Sequence, residues 1–137
     1  MINTYRELTI YLDSLNDKEI SEKDINKLDS SNMDLSGNIQ YRVDNQFNIF
    51  IRNKIVRDTL DFQNRLNDIT DKNTIILELD KLNKDYNMLY KLANVKIVSS
   101  NAKNEYSKYI IDCLNQYKES IRKRFNNIVD NLCIKEN

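Results

Sequence analysis

Apolar side chains recur every three or four residues along most of this chain, which is the spacing of a helix face. Tyr5, Leu8, Leu12 and Leu15 share one such face, joined by Tyr11. Thr4 and Glu7 stand at capping-box spacing just ahead of it. A second start follows at Ser21, with Asp24 three residues on and Ile20 and Ile25 placed as a hydrophobic staple. That helix is short and ends near Asp29, because DSSNMDLSGN is turn-rich and holds the only glycine, Gly37.

Between residues 39 and 51 the period becomes ambiguous. Ile39, Tyr41 and Val43 alternate, as do Phe47, Ile49 and Ile51. A loop of Asp44, Asn45 and Gln46 would pair the two runs and put all six side chains on one face of a β-hairpin. Their β-branched and aromatic character agrees with strands. The rival is one helix from about Ile39 to Ile69, on which these residues scatter around the axis. The hairpin is the favoured expectation.

The helical period then returns. Ile55, Thr59, Phe62, Leu66 and Ile69 form a stripe, and Thr70-Asp71-Lys72-Asn73 supplies cap residues. Ile75, Leu79, Leu82, Tyr86, Leu89 and Ala93 follow a coiled-coil-like seam. Asp80–Lys84 and Lys81–Asp85 sit at i,i+4 on its other faces. Ser99-Ser100-Asn101 marks the last boundary, and a final helix runs to about Leu132. Its stripe of Tyr106, Ile110, Cys113, Tyr117, Ile121, Phe125, Ile128 and Leu132 covers roughly 40 Å at 1.5 Å per residue. The predicted fold is mainly α, an antiparallel helical bundle of about five helices in a single domain spanning residues 1–137, with the hairpin near residues 38–51.

Composition narrows the function more than it names it. The 137 residues are 40% hydrophobic and 31% charged, enough for a packed core without disulfide or metal staples. Abundant Asn, Ile, Lys, Asp and Tyr, with no proline or tryptophan, point to an AT-rich genome: a low-GC bacterium, a phage, a large DNA virus or a parasite. Net charge is zero, with −4 in residues 1–40 and +2 in residues 101–137. A dedicated nucleic-acid binder carries a strongly basic domain or stripe, and this chain does not. Cys113 and Cys133 lie twenty residues apart in one predicted helix and cannot bridge. Free thiols, with no signal-peptide pattern and no apolar run of membrane length, suit a cytoplasmic protein of a cell or of an infected host.

Absence of histidine removes the commonest general base and the usual zinc and haem ligand. Asp58 with Asp61, or Asp68 with Asp71, could share a cation at i,i+3, but no glycine-rich loop exists to hold substrate phosphates. We expect neither catalysis, nor a metal, nor a cofactor. The densest basic cluster is Arg122-Lys123-Arg124. On a helix these side chains point near 140°, 240° and about 340° from Tyr117, so they form no single patch. Lys118 and Arg122, one turn apart, are the candidate nucleic-acid contacts. Lys123 stands at i,i+4 from Glu119, a favourable surface pair. Arg124 falls within the apolar arc and either snorkels to water or meets a carboxylate of another helix or chain. Tyrosine interleaves with lysine in DYNMLYK and EYSKYIID, as on single-strand binders, although Tyr86, Tyr106 and Tyr117 fall on the apolar stripes.

The last helix exceeds what its partners cover. Its end is therefore either folded against the N-terminal helix or left for a partner. The expected function is a non-enzymatic protein–protein interaction module, an inhibitor, adaptor or assembly factor. Its seam would be Tyr117, Ile121, Arg124, Phe125, Ile128 and Leu132, facing another protein or a second copy. One alternative is a nucleic-acid-associated accessory protein. Another is a viral regulator of apoptosis or immunity that binds an amphipathic partner helix.

Overall fold

The structure, a computed structural model, describes the backbone of residues 1–136 and the side chains of residues 1–130. Five helices follow one another: α1 (Tyr5–Ser14), α2 (Glu22–Asp29), α3 (Ile39–Asp68), α4 (Lys72–Ala93) and α5 (Ser100–Glu136). No strand occurs among the described residues. No described helix is long and apolar enough to cross a membrane.

The predicted caps form. Thr4 accepts from the Glu7 N–H at 3.1 Å. Ser21 and Asp24 close a reciprocal capping box at the start of α2. Asp71 caps α4, accepting from the Thr74 N–H at 2.9 Å. Each bond satisfies an N–H that the helix itself leaves without a partner.

Residues 39–51 are the correction to the expected hairpin. They are the first half of α3, which continues unbroken to Asp68. A hairpin would have turned all six alternating side chains inward. The helix buries Val43, Phe47 and Ile51, adds Phe50, and leaves Tyr41 75% and Ile49 44% exposed. Val43, Phe47 and Ile51 are spaced by four, so they satisfy period 2 and a helical face equally, which is why the pattern misled. Tertiary contacts decide the matter, because α3 is packed by α1, α4 and α5, whereas a lone hairpin is marginal in water. Gly37, with φ of 62°, makes the left-handed turn that ends the preceding loop.

The buried side chains form one cluster, with Leu8, Leu15, Leu28, Phe47, Ile51 and Ile110 among its fully enclosed members. The α4–α5 pairing is the most extensive helix contact. The connection between them is itself core, since Val95, Ile97 and Val98 are buried. Among the described residues α5 packs on α3 and α4 and makes no comparable contact with α1.

Candidate functional site

The second half of α3 forms, with α4 and the α1–α2 connection, a cleft of about 260 Å³. Spacing on each helix builds its walls. Lys54, Asp58, Asp61 and Arg65 recur every three or four residues on α3, as do Glu78, Lys81, Leu82 and Asp85 on α4. The α1–α2 connection closes one end. Lys54 Nζ donates to the carbonyls of Lys18 and Asn16 at 2.7 and 3.3 Å. Arg57 donates to the Asn16 carbonyl and pairs with Asp17 at 2.5 Å. At the other end Arg65 grips Glu78 through Nε and Nη2 at 2.9 and 3.3 Å, which fastens α3 to α4.

The floor is aromatic. Tyr117 of α5 lies with its ring centroid 5.7 Å from Phe62 and 5.7 Å from Tyr86, in tilted and edge-on arrangements. Tyr86 is only 4% exposed, and its hydroxyl, beside that of Tyr117, makes no hydrogen bond of ordinary geometry among the described residues. Burial pushes that phenol far above its ordinary range. An enclosed hydroxyl without a partner is uncommon and costly.

Two half-buried carboxylates stand above this floor, Asp58 from α3 and Asp85 from α4. Burial is the main force raising both from the usual carboxylate range. The charge of Asp61 adds to the rise at Asp58, and those of Glu19 and Asp58 add to it at Asp85. Lys54 and Lys81 offset part of it at both. Neither carboxylate accepts a hydrogen bond among the described residues, and the expected Lys81–Asp85 pair does not close to ion-pair distance.

The remaining sequence candidates are placed as follows. Ile121 and Ile128 are buried in the chain's own core, with Tyr117 and Phe125 packed partly against it. Leu132 lies outside the described side chains, as does Cys133. Arg124 neither snorkels nor meets a carboxylate. Its Nη2 and Nε donate to the Ile69 carbonyl at 2.6 and 3.2 Å, capping the C-terminus of α3. Arg122 pairs with Glu119 through Nη2 and Nε at 2.6 and 3.1 Å, in place of the expected Lys123–Glu119 pair. Lys118 is exposed.

The Tyr–Lys interleaving is largely engaged within the fold. Tyr106 donates to the Asp44 carbonyl at 2.6 Å, and the Arg52 guanidinium covers the Tyr109 ring at 4.3 Å. Asp44, read as a hairpin tip, is an internal anchor. Of the paired aspartates, Asp71 is the α4 cap and Asp68 is exposed at the end of α3. Asp58 acquires a neighbour in Asp85 that linear spacing could not show. Among the described residues no group of three metal-ligating side chains occurs. Burial raises the Cys113 thiol, which disfavours its thiolate form.

On the side of α3 away from the cleft, Ile49, Val56 and Leu60 stand exposed in one line, seven and four residues apart.

No protein-family model matches the chain, and no curated protein or solved structure matches it.

Proposed function

We propose that the chain is a non-enzymatic protein–protein interaction module, a single-domain helical bundle that meets a second copy of itself through the outer face of α3. The observation that carries this reading is the exposed line of Ile49, Val56 and Leu60. Ile10, Tyr41, Ile76, Leu77 and Ile111 are exposed as well, but on α3 three such side chains fall in one line. Contiguous exposed apolar surface of this kind is what association covers.

The neighbours of the stripe favour a copy over a charged stranger. Gln46, Asn53, Gln63, Asn64 and Asn67 lie on the same side of the helix and carry no charge. Arg52, the nearest cation, is held over Tyr109 and donates to Asn48 at 2.8 Å. A two-fold axis brings each patch against itself, so a neutral, amide-rimmed stripe meets no like charge. Amide side chains both donate and accept, and can therefore pair across such an axis.

Light scattering across micromolar concentrations tests the proposal. The expected mass is that of a dimer, and Val56→Glu with Leu60→Glu is expected to give a monomer of unchanged helicity, because both side chains are exposed. A wild-type chain that stays monomeric at every concentration overturns it.

A further inference from the structure

We infer that the cleft between α3 and α4 is a binding site for an organic ammonium ion, with Asp58 and Asp85 receiving the charged head and the Phe62–Tyr86–Tyr117 floor receiving the body. This site lies on the opposite side of α3 from the proposed dimer stripe and does not depend on it.

Charge is the first argument. Four carboxylates line the cleft without a close ionic partner among the described residues: Glu19, Asp58, Asp61 and Asp85. The two guanidinium groups are engaged by Asp17 and Glu78. Lys18 is paired with Asp24, Lys54 is turned to two backbone carbonyls, and Lys81 is the remaining ammonium. Four carboxylates therefore stand against the two ammonium charges of Lys54 and Lys81, a negative excess that disfavours a phosphate or carboxylate ligand. A compact divalent metal is disfavoured too, since the described residues bring no three ligands together.

The floor is the second argument. A cation is attracted to the negative face of an aromatic ring, more strongly where water is excluded. Three rings in mutual contact line the cleft together with the two aspartates, as does the apolar Leu82. A hydrated inorganic ion has no use for such a surface, whereas an amine with a hydrocarbon body buries its body there.

Tyr86 supplies the third and independent argument. Its side chain, 4% exposed, lines the same cleft, and its enclosed hydroxyl, with the Tyr117 hydroxyl beside it, makes no hydrogen bond of ordinary geometry among the described residues. An ammonium N–H is a donor that this oxygen can accept. Burial also raises Asp58 and Asp85, the behaviour of carboxylates awaiting a counter-ion. With Lys54, Lys81, Arg57, Asp61 and Glu19 as the charged groups around them, binding strengthens as pH rises and the pair ionises. The volume, about 260 Å³, falls below the roughly 300 Å³ at which drug-sized pockets begin, so the ligand is small. It is either a free amine or one lysine side chain presented by another protein.

Two-dimensional NMR titration distinguishes these sources. The probes are 2-phenylethylammonium, its neutral isostere 2-phenylethanol, and Nα-acetyl-lysine methylamide. Saturable shifts confined to residues 54–62 and 81–89 are expected with at least one amine and not with the alcohol. A response to the lysine derivative alone identifies a protein side chain as the source, and a response to phenylethylammonium alone identifies a free amine.

Asp58→Asn with Asp85→Asn is expected to weaken the amine about tenfold or more. Tyr86→Phe, which keeps the ring, is expected to weaken it by a smaller factor. Circular dichroism verifies the fold of both. Equal binding of alcohol and amine, affinity unchanged by the double substitution, or no saturable shift with either amine at millimolar concentration overturns the inference. The first and last of these readouts need no variant.

Discussion

Asp44, in the second turn of α3, accepts from both the backbone N–H and the hydroxyl of Ser99, at 3.0 and 2.6 Å, and so holds the start of α5. Ser99 in turn accepts from the Ala102 N–H at 3.3 Å, the ordinary N-cap bond. Gln40 bridges the same carboxylate to the Ile97 carbonyl, at 2.9 Å to each. A negative side chain thereby sits at the positive end of the longest helix, fifty-five residues away in sequence.

Removing that carboxylate leaves a part-buried N–H and hydroxyl without acceptors. Asp44→Ala is expected to lower the unfolding free energy by about 2–4 kcal/mol, since hydrogen bonds to charged groups are each worth roughly 1.5–3 kcal/mol. Asp44→Asn keeps one acceptor oxygen and is expected to lose less. Urea denaturation at neutral pH measures both, and a change within about 0.5 kcal/mol for alanine is the ordinary surface value that contradicts the anchoring role.

Much of this was legible in the chain because local rules and packing agree there. Thr4, Ser21 and Asp71 cap the helices at which their spacing placed them, and Tyr86, Tyr106 and Tyr117 pack on the stripes to which they were assigned. Residues 39–51 were misread because Val43, Phe47 and Ile51 fit two periods at once, and only the neighbours of α3 choose between them. The cleft was invisible for a different reason. Asp58 and Asp85 are twenty-seven residues apart, and a linear pattern shows each only beside its own helix neighbours. Arg124 falls on an apolar arc in the sequence, but its partner is a backbone carbonyl, which no side-chain pattern reveals.

That contact makes a second prediction. Arg124 satisfies the Ile69 carbonyl at the end of α3, one of the four that every helix leaves without a partner. Arg124→Met keeps the stem and removes the donors, and is expected to cost about 1–2 kcal/mol. Arg124→Ala also removes the stem packing and is expected to cost more. Because α5 is joined to the α3–α4 turn here, amide exchange is expected to accelerate first at residues 66–75 in the methionine variant. Uniform acceleration across the chain contradicts a local cap.

Asp24 predicts an acid transition. Burial opposes its ionisation, yet it accepts from Tyr11 at 2.6 Å, from the Ser21 N–H and hydroxyl at 2.9 and 3.0 Å, and from Lys18 at 3.2 Å. These donors outweigh burial and hold the carboxyl down at about 2. The unfolded chain takes up its proton near the ordinary value of about 4. The stabilisation is therefore complete above that value and is lost as pH falls towards 2, in all about 2 kcal/mol. The gap in urea midpoint between wild type and Asp24→Asn is expected to narrow over that interval. A gap that is constant with pH contradicts the assignment.

Asp58 and Asp85 carry the opposite sign. Their folded values lie above the unfolded one, so between the two the folded state holds protons that the unfolded state has released. Stability then falls as pH rises through that window, and the penalty is carried at higher pH. Asp58→Asn and Asp85→Asn are each expected to raise the thermal midpoint at pH 7 and to lose that advantage at pH 4. Polar substitutions at half-buried positions usually destabilise or do nothing, so a gain confined to neutral pH is a distinctive outcome. It is the outcome expected of a site held at some cost to the fold and relieved when a ligand arrives. Thermal melts of the two single variants and the double variant at both pH values decide it, and midpoints at pH 7 at or below wild type contradict the account.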